Sequence, residues 1–402
     1  MKTTDRRSFS IEVNRMIGLY LHIPFCQSKC NYCDFYSIPT SKEQRGFYLR
    51  ALAEEAAWYA KDKRLQGIVF DTLFIGGGTP SILEEEELDL LFDLIDQNFS
   101  FQKAAEKTME ANPGSLTAEK ICLLLRRGIN RISLGVQAFQ PSLLHCMGRC
   151  HTSEEAEQTI LDLKNSGLKN WSMDLIYGLP GQTLADWRET LTKALQFRPP
   201  HLSMYNLIVE ETTPFGHLAA EGKLQLPDEE EQLQMMQMAA KLTEEAGLLQ
   251  YEISNFSLSG AECQHNLIYW HNQEYLGLGA AAFSYLDKHR FSHVADIERY
   301  IHAWQQYHHP CITENEYTTR AIELGETIML GLRTMQGISV SEMNRRFQID
   351  FLQYYKDAIS FCTEQGWLTK EGDRIALTSR GIPLGNQVFL RFLPNEKDFD
   401  LS

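Results

Sequence analysis

Segments that read as strands alternate with amphipathic segments from the N-terminus to about residue 245, and this pattern constrains the fold most strongly. The predicted strands are Gly18–Ile23, Thr72–Gly76, Lys107–Ala111, Arg131–Val136, Asn170–Ile176 and His201–Ile208. The predicted helices are Glu43–Ala60, Glu84–Asp96, Ala118–Arg126, Ser153–Ser166, Ala185–Gln196 and Glu229–Ala246. Strands and helices that alternate at this spacing form parallel sheets with right-handed crossovers. The sequence therefore predicts an α/β fold with six strand–helix units.

Three cysteines lie on one short stretch directly after the first predicted strand. Cys26, Cys30 and Cys33 have the spacing C-x3-C-x2-C. Three thiolates on one tight loop can hold three irons of a cubane [4Fe–4S] cluster. A coordination position without a protein ligand is typical of metal sites that must bind something else. Two alternatives stay open from the residues alone, namely three unrelated buried thiols and a zinc site with a remote fourth ligand.

Polar or glycine-rich residues occur at the ends of the later predicted strands. The sequence GGGTP (76–80) follows the second strand, Glu110 ends the third, Gln137 follows the fourth, and the fifth carries Asp174. Because reactive groups gather at the carboxyl ends of parallel barrel strands, we expect these residues to lie near the cysteines. A triple glycine alone is equally typical of a tight turn between a strand and a helix.

The cysteine stretch YLHIPFCQSKCNYCDFYS (20–37) resembles the cluster motif of the radical SAM superfamily. Together with GGGTP and DLIYGLPGQT (174–183) it is similar to the oxygen-independent coproporphyrinogen III oxidase-like family, which includes a HemW-type haem chaperone branch. The resemblance implies that the six units curve into an open (β/α)6 partial TIM barrel. It also implies that the three cysteines hold a [4Fe–4S] cluster whose free iron binds S-adenosylmethionine (SAM).

The resemblance further implies a set of SAM contacts around this cluster. The GGGTP backbone would receive the methionine ammonium group, since glycines let a ligand approach closely. Carboxylates and amides accept hydrogen bonds from ribose and amino groups, and a guanidinium group suits a carboxylate. The residues assigned to SAM in this way are Tyr20, Gly76, Gly77, Gly78, Thr79, Glu110, Gln137, Arg149 and Asp174.

The sequence HNLIYW (265–270) admits two interpretations. From the residue types alone, we favour a packed aromatic corner with a hydrogen-bonded core histidine. By resemblance to the haem chaperone branch, the motif instead predicts a haem site formed by His265, Asn266, Tyr269 and Trp270. A neutral imidazole is a good axial ligand, and aromatic rings cover a macrocycle well. Cys263 is a second conceivable ligand.

The chain divides into three predicted regions. Residues 1–245 form the radical SAM core, and residues 246–315 form a loop-rich segment that covers the barrel mouth. Residues 316–402 combine helices with a short hairpin and resemble a winged helix, the C-terminal domain of the family. Such modules often bind DNA, but 38 basic against 53 acidic residues give a net charge of −15, which argues against nucleic-acid binding.

The cellular compartment can also be predicted from the sequence. No run of about 18 apolar residues occurs, so we expect no membrane span. The first fifteen residues lack an apolar core, which argues against a secretory signal. Nine cysteines without the spacing of a disulfide scaffold fit a reducing compartment. We therefore expect a cytoplasmic protein.

Two departures separate this chain from the oxidase of the family. The oxidase has a fourth cysteine two residues after the third, where this chain has Phe35, and it has a longer segment before the cluster. With HNLIYW, these departures predict a chaperone that binds haem and passes it to haem-requiring respiratory proteins of the membrane. The alternative is a coproporphyrinogen III dehydrogenase that decarboxylates two propionates through a SAM-derived radical. An iron–sulfur sensor is the weakest hypothesis, and whether SAM is cleaved stays open.

Overall fold

The computed structural model describes residues 16–394, and the predicted alternation of strands and helices is confirmed through residue 245. The strands of this part are β1 (Gly18–Ile23), β2 (Phe25–Cys26), β3 (Ile38–Pro39), β4 (Phe70–Gly77), β5 (Phe101–Ala111), β6 (Arg131–Gln137), β7 (Asn170–Tyr177) and β8 (His201–Asn206). The helices are α1 (Lys42–Tyr59), α2 (Glu85–Asn98), α3 (Ala118–Arg126), α4 (Pro141–Met147), α5 (Ser153–Asn165), α6 (Leu184–Gln196), α7 (Pro214–Ala220) and α8 (Glu229–Glu245).

Six of these strands form a parallel sheet in the order β1, β4, β5, β6, β7 and β8. Strand order therefore follows chain order, as successive right-handed crossovers require. Strand β6 is buried along its whole length except at its last residue, Gln137. Strands covered on both faces carry such nearly continuous apolar runs, which is why the sequence marks them clearly.

The helices begin where the sequence supplies capping residues. The Thr152 hydroxyl accepts the Glu155 backbone N–H at 3.2 Å, and the Glu155 carboxylate accepts the Thr152 N–H at 2.8 Å. Thr183 and Asp186 form the same reciprocal pair at the start of α6. These pairs satisfy backbone donors that a helix leaves unbonded in its first turn. The start of α5 and α6 is thus determined locally.

Residues 246–315 contain more regular structure than the predicted loop-rich segment. They contribute β9 (Leu249–Gln250), β10 (Asn255–Ser257), α9 (Gln264–Trp270), β11 (Tyr275–Leu278), β12 (Phe283–Leu286), β13 (His289–His293), α10 (Ile297–His302) and most of β14 (Ile312–Tyr317). Strand β11 pairs in parallel with β1, and β12 to β14 continue the sheet in antiparallel order. The prediction of a loop-rich segment is wrong. Strands β12 to β14 pair with their neighbours in sequence, and β11 and β10 attach these short strands to β1 and β8, which are distant in sequence.

The described sheet has twelve strands and two free edges. Strands β14 and β9 are its outermost members, and β10 joins β9 to β8. Residues from β1, β4, β5, β6, β7 and β8 nevertheless line one cavity, so the sheet curves around it. This is the open barrel that the resemblance implied.

The last part of the described chain has a separate hydrophobic core, which includes Leu324, Phe347, Phe351 and Phe392. Its elements are α11 (Arg320–Leu332), β15 (Ile338–Ser339), α12 (Val340–Phe347), α13 (Phe351–Tyr354), α14 (Lys356–Glu364), β16 (Leu368–Glu371), β17 (Arg374–Leu377) and α15 (Gly385–Phe389). The predicted order of helices followed by a hairpin is confirmed. The boundaries at 245/246 and 315/316 stay a prediction.

The chain ends, 1–15 and 395–402, lie outside the described residues. The structure therefore does not describe the residues on which two predictions depend. These predictions are the lack of a secretory signal and the outer bounds of the first and third regions. Within residues 16–394, no helix has both the length and the apolar composition that crossing a bilayer requires.

Candidate functional site

The three cysteines lie on a loop that contacts distant parts of the chain. Cys26, Cys30 and Cys33 are all partly exposed at the carboxyl end of β1. The Asn31 backbone N–H donates to Met147 O at 2.9 Å, and its side-chain amide donates to the carbonyl of residue 146 at 2.8 Å. The Asn31 carbonyl accepts the N–H of residue 215 at 2.9 Å. These contacts position the loop without using a thiol.

The electrostatics of the loop favour a bound cation. Burial raises the pKa of the Cys33 thiol, and negative charge on Cys30 and Cys26 raises it further. The three sulfurs are therefore near enough to repel one another as thiolates, and iron would relieve this repulsion. Within residues 16–394, no three His, Cys, Asp or Glu side chains converge around a single ion position. A cubane cluster does not require that convergence, because each thiolate binds a different iron.

The GGGTP turn packs tightly against the cysteine loop. A Cβ on Gly77, whose φ is +112°, would lie 2.6 Å from His22 Cε1. A Cβ on Gly76 would lie 2.8 Å from the Glu110 carboxylate, and one on Gly78 would lie 2.6 Å from Phe25 O. Protein packing therefore requires glycine at positions 77 and 78, as in the tight-turn alternative, whereas at Gly76 only side chains would have to move. The Gly77 N–H donates to Glu110 at 3.0 Å, which leaves carbonyl oxygens as the turn's groups for an ammonium ion.

Arg149 joins the cysteine loop to the fourth barrel strand. Its Nη2 atom donates to Asn112 Oδ1 and to Gly135 O, each at 2.6 Å, and its Nη1 atom lies 3.7 Å from Cys30 Sγ. Its buried Nε atom has no hydrogen-bond partner in the described part of the chain. An unbonded guanidinium N–H beside the cluster loop suits a ligand carboxylate, which is the group that SAM offers.

Thr79 and Gln137 also lie beside this part of the site. The Thr79 hydroxyl lies 3.5 Å from Cys26 Sγ and accepts the Asn112 side-chain amide at 2.9 Å. Gln137 has a φ of +67° at an irregularity in the pairing of β6 with β7. Its amide lies near Gly135, and therefore near the Arg149 guanidinium. A hydrogen-bonded chain thus connects a cluster cysteine to the carboxyl end of β6.

A cavity of about 310 Å³ lies inside the curved sheet, and we call it the lumen. Tyr20, Glu110 and Asp174 line it from three different strands. Burial, and secondarily the charge of Asp174, raises the pKa of Glu110 to about 8. Burial also raises the pKa of Asp174, although Ser133 donates to both of its carboxylate oxygens at 3.0 Å. Two carboxyl groups that resist ionisation provide acceptors and proton donors for a polar ligand.

His265 lies at the opposite end of the lumen, near the start of β4. It is 1% exposed, and its Nδ1 atom is hydrogen bonded to the Thr72 hydroxyl at 2.7 Å. Its Nε2 atom is hydrogen bonded to the Tyr269 hydroxyl at 2.8 Å. Burial, and then the charge of Arg131, lowers the pKa of His265 to about 3. Both ring nitrogens are therefore engaged in the described structure, as the core-histidine interpretation requires.

The other residues around the HNLIYW motif face different surroundings. Asn266 and Tyr269 line the lumen, whereas the Trp270 ring lies 4.6 Å beneath the guanidinium of Arg333. Cys263 is fully buried, and burial raises the pKa of its thiol to about 12. The four predicted haem residues are thus not brought to one open surface. Their role in haem binding stays a prediction.

Sequence reasoning missed several residues that complete the site. Asn112 bridges Thr79 and Arg149, and Arg131 lines the lumen as a fully buried cation. Ser133 and Ser203 lie beside Asp174 on the neighbouring strands. In strand β6, residues 131, 133 and 135 share one face because side chains alternate along a strand. This pattern could have indicated that Arg131 and Ser133 face the lumen. No local signal marks Asn112.

Comparison with known proteins identifies relatives over nearly the whole chain. The Radical SAM superfamily model matches residues 20–194, and the HemN C-terminal domain model matches residues 319–384. A Lactococcus lactis protein named Heme chaperone HemW is 35% identical over 380 residues, which cover 94% of this chain and 98% of that protein. A Bacillus subtilis protein of the same name is 36% identical, with 94% and 99% covered.

A solved structure has the same fold over most of its length. The coproporphyrinogen III oxidase HemN from Escherichia coli, described as a radical SAM enzyme, superposes with a TM-score of 0.81. The match covers 94% of this chain and 90% of that one, at 23% sequence identity. At this identity the likeness concerns the fold, and it includes the open barrel together with the C-terminal helices and hairpin.

Proposed function

This chain belongs to the HemW family of the radical SAM superfamily, and from that premise we propose that it binds haem and delivers it to haem-requiring proteins. The observation that carries the proposal is the full-length likeness to relatives named Heme chaperone HemW, at 35–36% identity. The likeness to these relatives covers the C-terminal part as well as the barrel, so it concerns the whole chain and not the radical SAM core alone. Phe35, at the position of the oxidase's fourth cysteine, supports the same branch.

We assign the cluster and SAM to the barrel rim and the lumen. The cluster ligands are Cys26, Cys30 and Cys33, and SAM bound at the free iron would place its carboxylate at Arg149. Tyr20, Glu110 and Asp174 would meet its polar groups from the lumen. When bound, the cluster can supply an electron to SAM. The chain's own residues hold these groups in place, exclude water and provide proton-bearing carboxyls.

We place this activity in the cytoplasm, with membrane respiratory proteins as the haem acceptors. A net charge of −15 argues against nucleic acid as a partner, although Arg345 and Arg346 lie together on α12. Arg346 is paired with Glu323 at 2.8 Å, which lowers its value as a phosphate contact. The winged-helix-like part thus serves better as a cover for the barrel than as a DNA reader.

Oxidation of coproporphyrinogen III is the second candidate function. It is favoured by a specific observation, the carboxyl groups that line the lumen beside the cluster loop. Radical chemistry on SAM needs such an enclosed site. The fold likeness to the oxidase is compatible with this activity, but at 23% identity it does not argue for it.

The test is an anaerobic haem titration of protein with a reconstituted cluster, followed by transfer to apomyoglobin as a defined acceptor. We expect saturable binding and transfer that responds to the cluster. The Cys26→Ala/Cys30→Ala/Cys33→Ala variant, which lacks the cluster ligands, is the control. No specific haem binding, together with turnover of coproporphyrinogen III, would replace the chaperone with the enzyme.

A further inference from the structure

A second, larger cavity lies between the cysteine loop and the C-terminal part of the chain, and we call it the interdomain cavity. Its volume is about 720 Å³, more than twice that of the lumen. Its walls include Phe35, Tyr36, Tyr275, Phe283, Arg290 and Met329. Cavities of this size with largely apolar, aromatic walls are typical of sites for large planar ligands.

The interdomain cavity adjoins the lumen directly. Tyr20, Phe35 and Tyr269 line both spaces. Phe35 follows the third cluster cysteine by two residues and is 70% exposed. Phe283 and Met329 are also exposed, at 43% and 39%. Apolar side chains that remain exposed inside a concave surface indicate a ligand, because water contact with them is unfavourable.

We propose that haem lies in the interdomain cavity, with the Met329 thioether as an axial iron ligand; this placement rests on the haem-binding function proposed above. Methionine is an axial ligand of haem iron in electron-transfer proteins, and its unbranched side chain can reorient towards a metal. His265 then acts as a structural residue that orders Tyr269, which forms part of the cavity wall.

The other donors in the cavity wall are less suited to iron. Both ring nitrogens of His22 are already hydrogen bonded. Its Nδ1 atom lies 3.0 Å from the Tyr20 hydroxyl, and its Nε2 atom lies 2.9 Å from the Tyr36 carbonyl oxygen. The Tyr36 hydroxyl accepts the Ile297 N–H at 2.9 Å. A thioether forms only weak hydrogen bonds, so Met329 would lose little by turning to iron.

The cavity also contains a cation for the haem propionates. Arg290 is half-buried, and its side chain lies over the Tyr285 ring with its guanidinium carbon 5.2 Å from the centroid. Two of its five N–H donors are used by the Glu326 carboxylate, which also lines the cavity, and another is used by the Tyr275 hydroxyl. The remaining donors can pair with a propionate at the cavity mouth while the apolar walls cover the macrocycle.

One other concave surface competes for haem. A cavity of about 720 Å³ beside α10 is lined by His302, His309 and Cys311, which are good iron ligands. It shares no lining residue with the lumen or with the cysteine loop. The interdomain cavity is preferred because only there would haem lie against the residues that flank the cluster and SAM.

The test is haem titration with optical spectra in the cluster-loaded protein, using Met329→Leu and the cavity-filling Leu330→Trp. Met335→Leu, at a half-buried methionine of the C-terminal part that does not line the cavity, is the matched control. We expect Met329→Leu to remove the thioether-to-iron charge-transfer band of ferric haem. We also expect each cavity variant to weaken haem binding about tenfold, the effect of 1.4 kcal/mol. Cluster absorbance and SAM binding should be unchanged.

The outcomes separate this placement from the function on which it rests. Wild-type affinity and spectrum in both cavity variants would overturn the placement, as would loss of binding in His302→Ala/His309→Ala or loss of the axial-ligand spectrum in His265→Gln. Haem binding by the wild-type protein would then still support the chaperone. Failure of the wild-type protein to bind haem would overturn both proposals.

Discussion

Replacing His265 with alanine should destabilise the protein whether or not haem is present. The imidazole is 1% exposed, and it bonds to the hydroxyls of Thr72 at 2.7 Å and Tyr269 at 2.8 Å. The ring also stacks on Phe74, with 5.1 Å between centroids. Alanine removes both hydrogen bonds and leaves a void between α9 and β4. The variant therefore changes the structure around the lumen. A loss of haem binding in His265→Ala would then not show that His265 is a haem ligand.

The magnitude follows from these contacts. A buried hydroxyl left without a partner costs about 1–3 kcal/mol, and removing a large buried side chain costs about 2–5 kcal/mol. Because the two costs overlap, we expect His265→Ala to lower the free energy of unfolding by about 3–5 kcal/mol. Loss of that size is a large part of the 5–15 kcal/mol that typically stabilises a domain. It should be visible in any equilibrium unfolding curve.

The same side chain should make stability depend on pH. Burial, followed by the Arg131 charge, lowers the pKa of His265 from 6.5 to about 3. Between these values the unfolded chain binds a proton that the folded chain does not, so stability falls as pH falls from 6.5 towards 3. His265→Gln carries no titrating group in this window. Its curve should be flatter than the wild-type curve by about 1.4 kcal/mol per pH unit.

The assay is urea unfolding of the cluster-free protein under reducing conditions, followed by tryptophan fluorescence. His271→Ala is the matched control, because His271 is half-buried and its Nδ1 atom has no partner within residues 16–394. We expect a loss of about 1 kcal/mol or less in that variant. Equal stability of His265→Ala and His271→Ala would refute the reasoning, as would parallel pH curves for the wild-type protein and His265→Gln. The imidazole would then be free to ligate haem.

Three further predictions concern the cluster loop and the lumen. The triple variant of Cys26, Cys30 and Cys33 to alanine should lose the visible iron–sulfur absorbance after anaerobic reconstitution, whereas Cys122→Ala, at an exposed cysteine, should retain it. Gly77→Ala places a Cβ 2.6 Å from His22 Cε1 at a φ of +112° and should cost about 2–5 kcal/mol in urea unfolding, since backbone strain and the clash add. Gly67→Ala, at a φ of +76° with no atom within 4 Å, carries the backbone strain alone and should cost about 1–2 kcal/mol. The pKa of Glu110 is about 8, and its ionised form is the better hydrogen-bond acceptor, so SAM should bind more tightly as the pH rises through 8. Calorimetry measures this dependence, and Glu110→Gln should abolish it. The same pH profile in Glu110→Gln as in the wild-type protein would exclude Glu110 from the SAM site.

The barrel was predictable because its information is local. Strand β1 (Gly18–Ile23) and helix α3 (Ala118–Arg126) have the predicted bounds. Buried parallel strands carry continuous apolar runs, and α3 begins after Thr117, whose hydroxyl accepts the Lys120 N–H. Strand β8 ends at Asn206 rather than at the predicted Ile208, which is 70% exposed. The length of an apolar run therefore overestimates the length of a strand when the last residues of the run lie outside the sheet.

The arrangement of HNLIYW could not be predicted, because the groups that determine it are distant in sequence. Thr72 lies 193 residues before His265, and Glu106, which accepts the His265 backbone N–H at 3.1 Å, lies 159 residues before it. Nothing in the motif encodes these partners. The resemblance identified the family correctly, but it could not indicate which way each side chain of the motif faces.

The short helix α4 and the residues after it help to position the cysteine loop through groups that the sequence does not mark. The stretch 145–151 supplies the carbonyl oxygens of residues 146 and 147 to Asn31, and it carries Arg149. Its conspicuous cysteines are peripheral, with Cys150 exposed and 2.9 Å from the Ser28 hydroxyl. Apart from the Arg149 side chain, the contribution of this stretch comes from backbone carbonyl groups, which side-chain patterns do not report.

The pairing of β1 with β11 has a consequence for how the protein is made. Strand β1 lies inside the sheet, yet its outer neighbour begins at Tyr275, some 257 residues later. The anchors of the cysteine loop, Met147 and Phe215, leave the ribosome well before that neighbour. Both anchors of the loop are therefore synthesised while one flank of β1 still lacks its partner strand. The sheet can close on this flank of β1 only after residues 275–278 have been made.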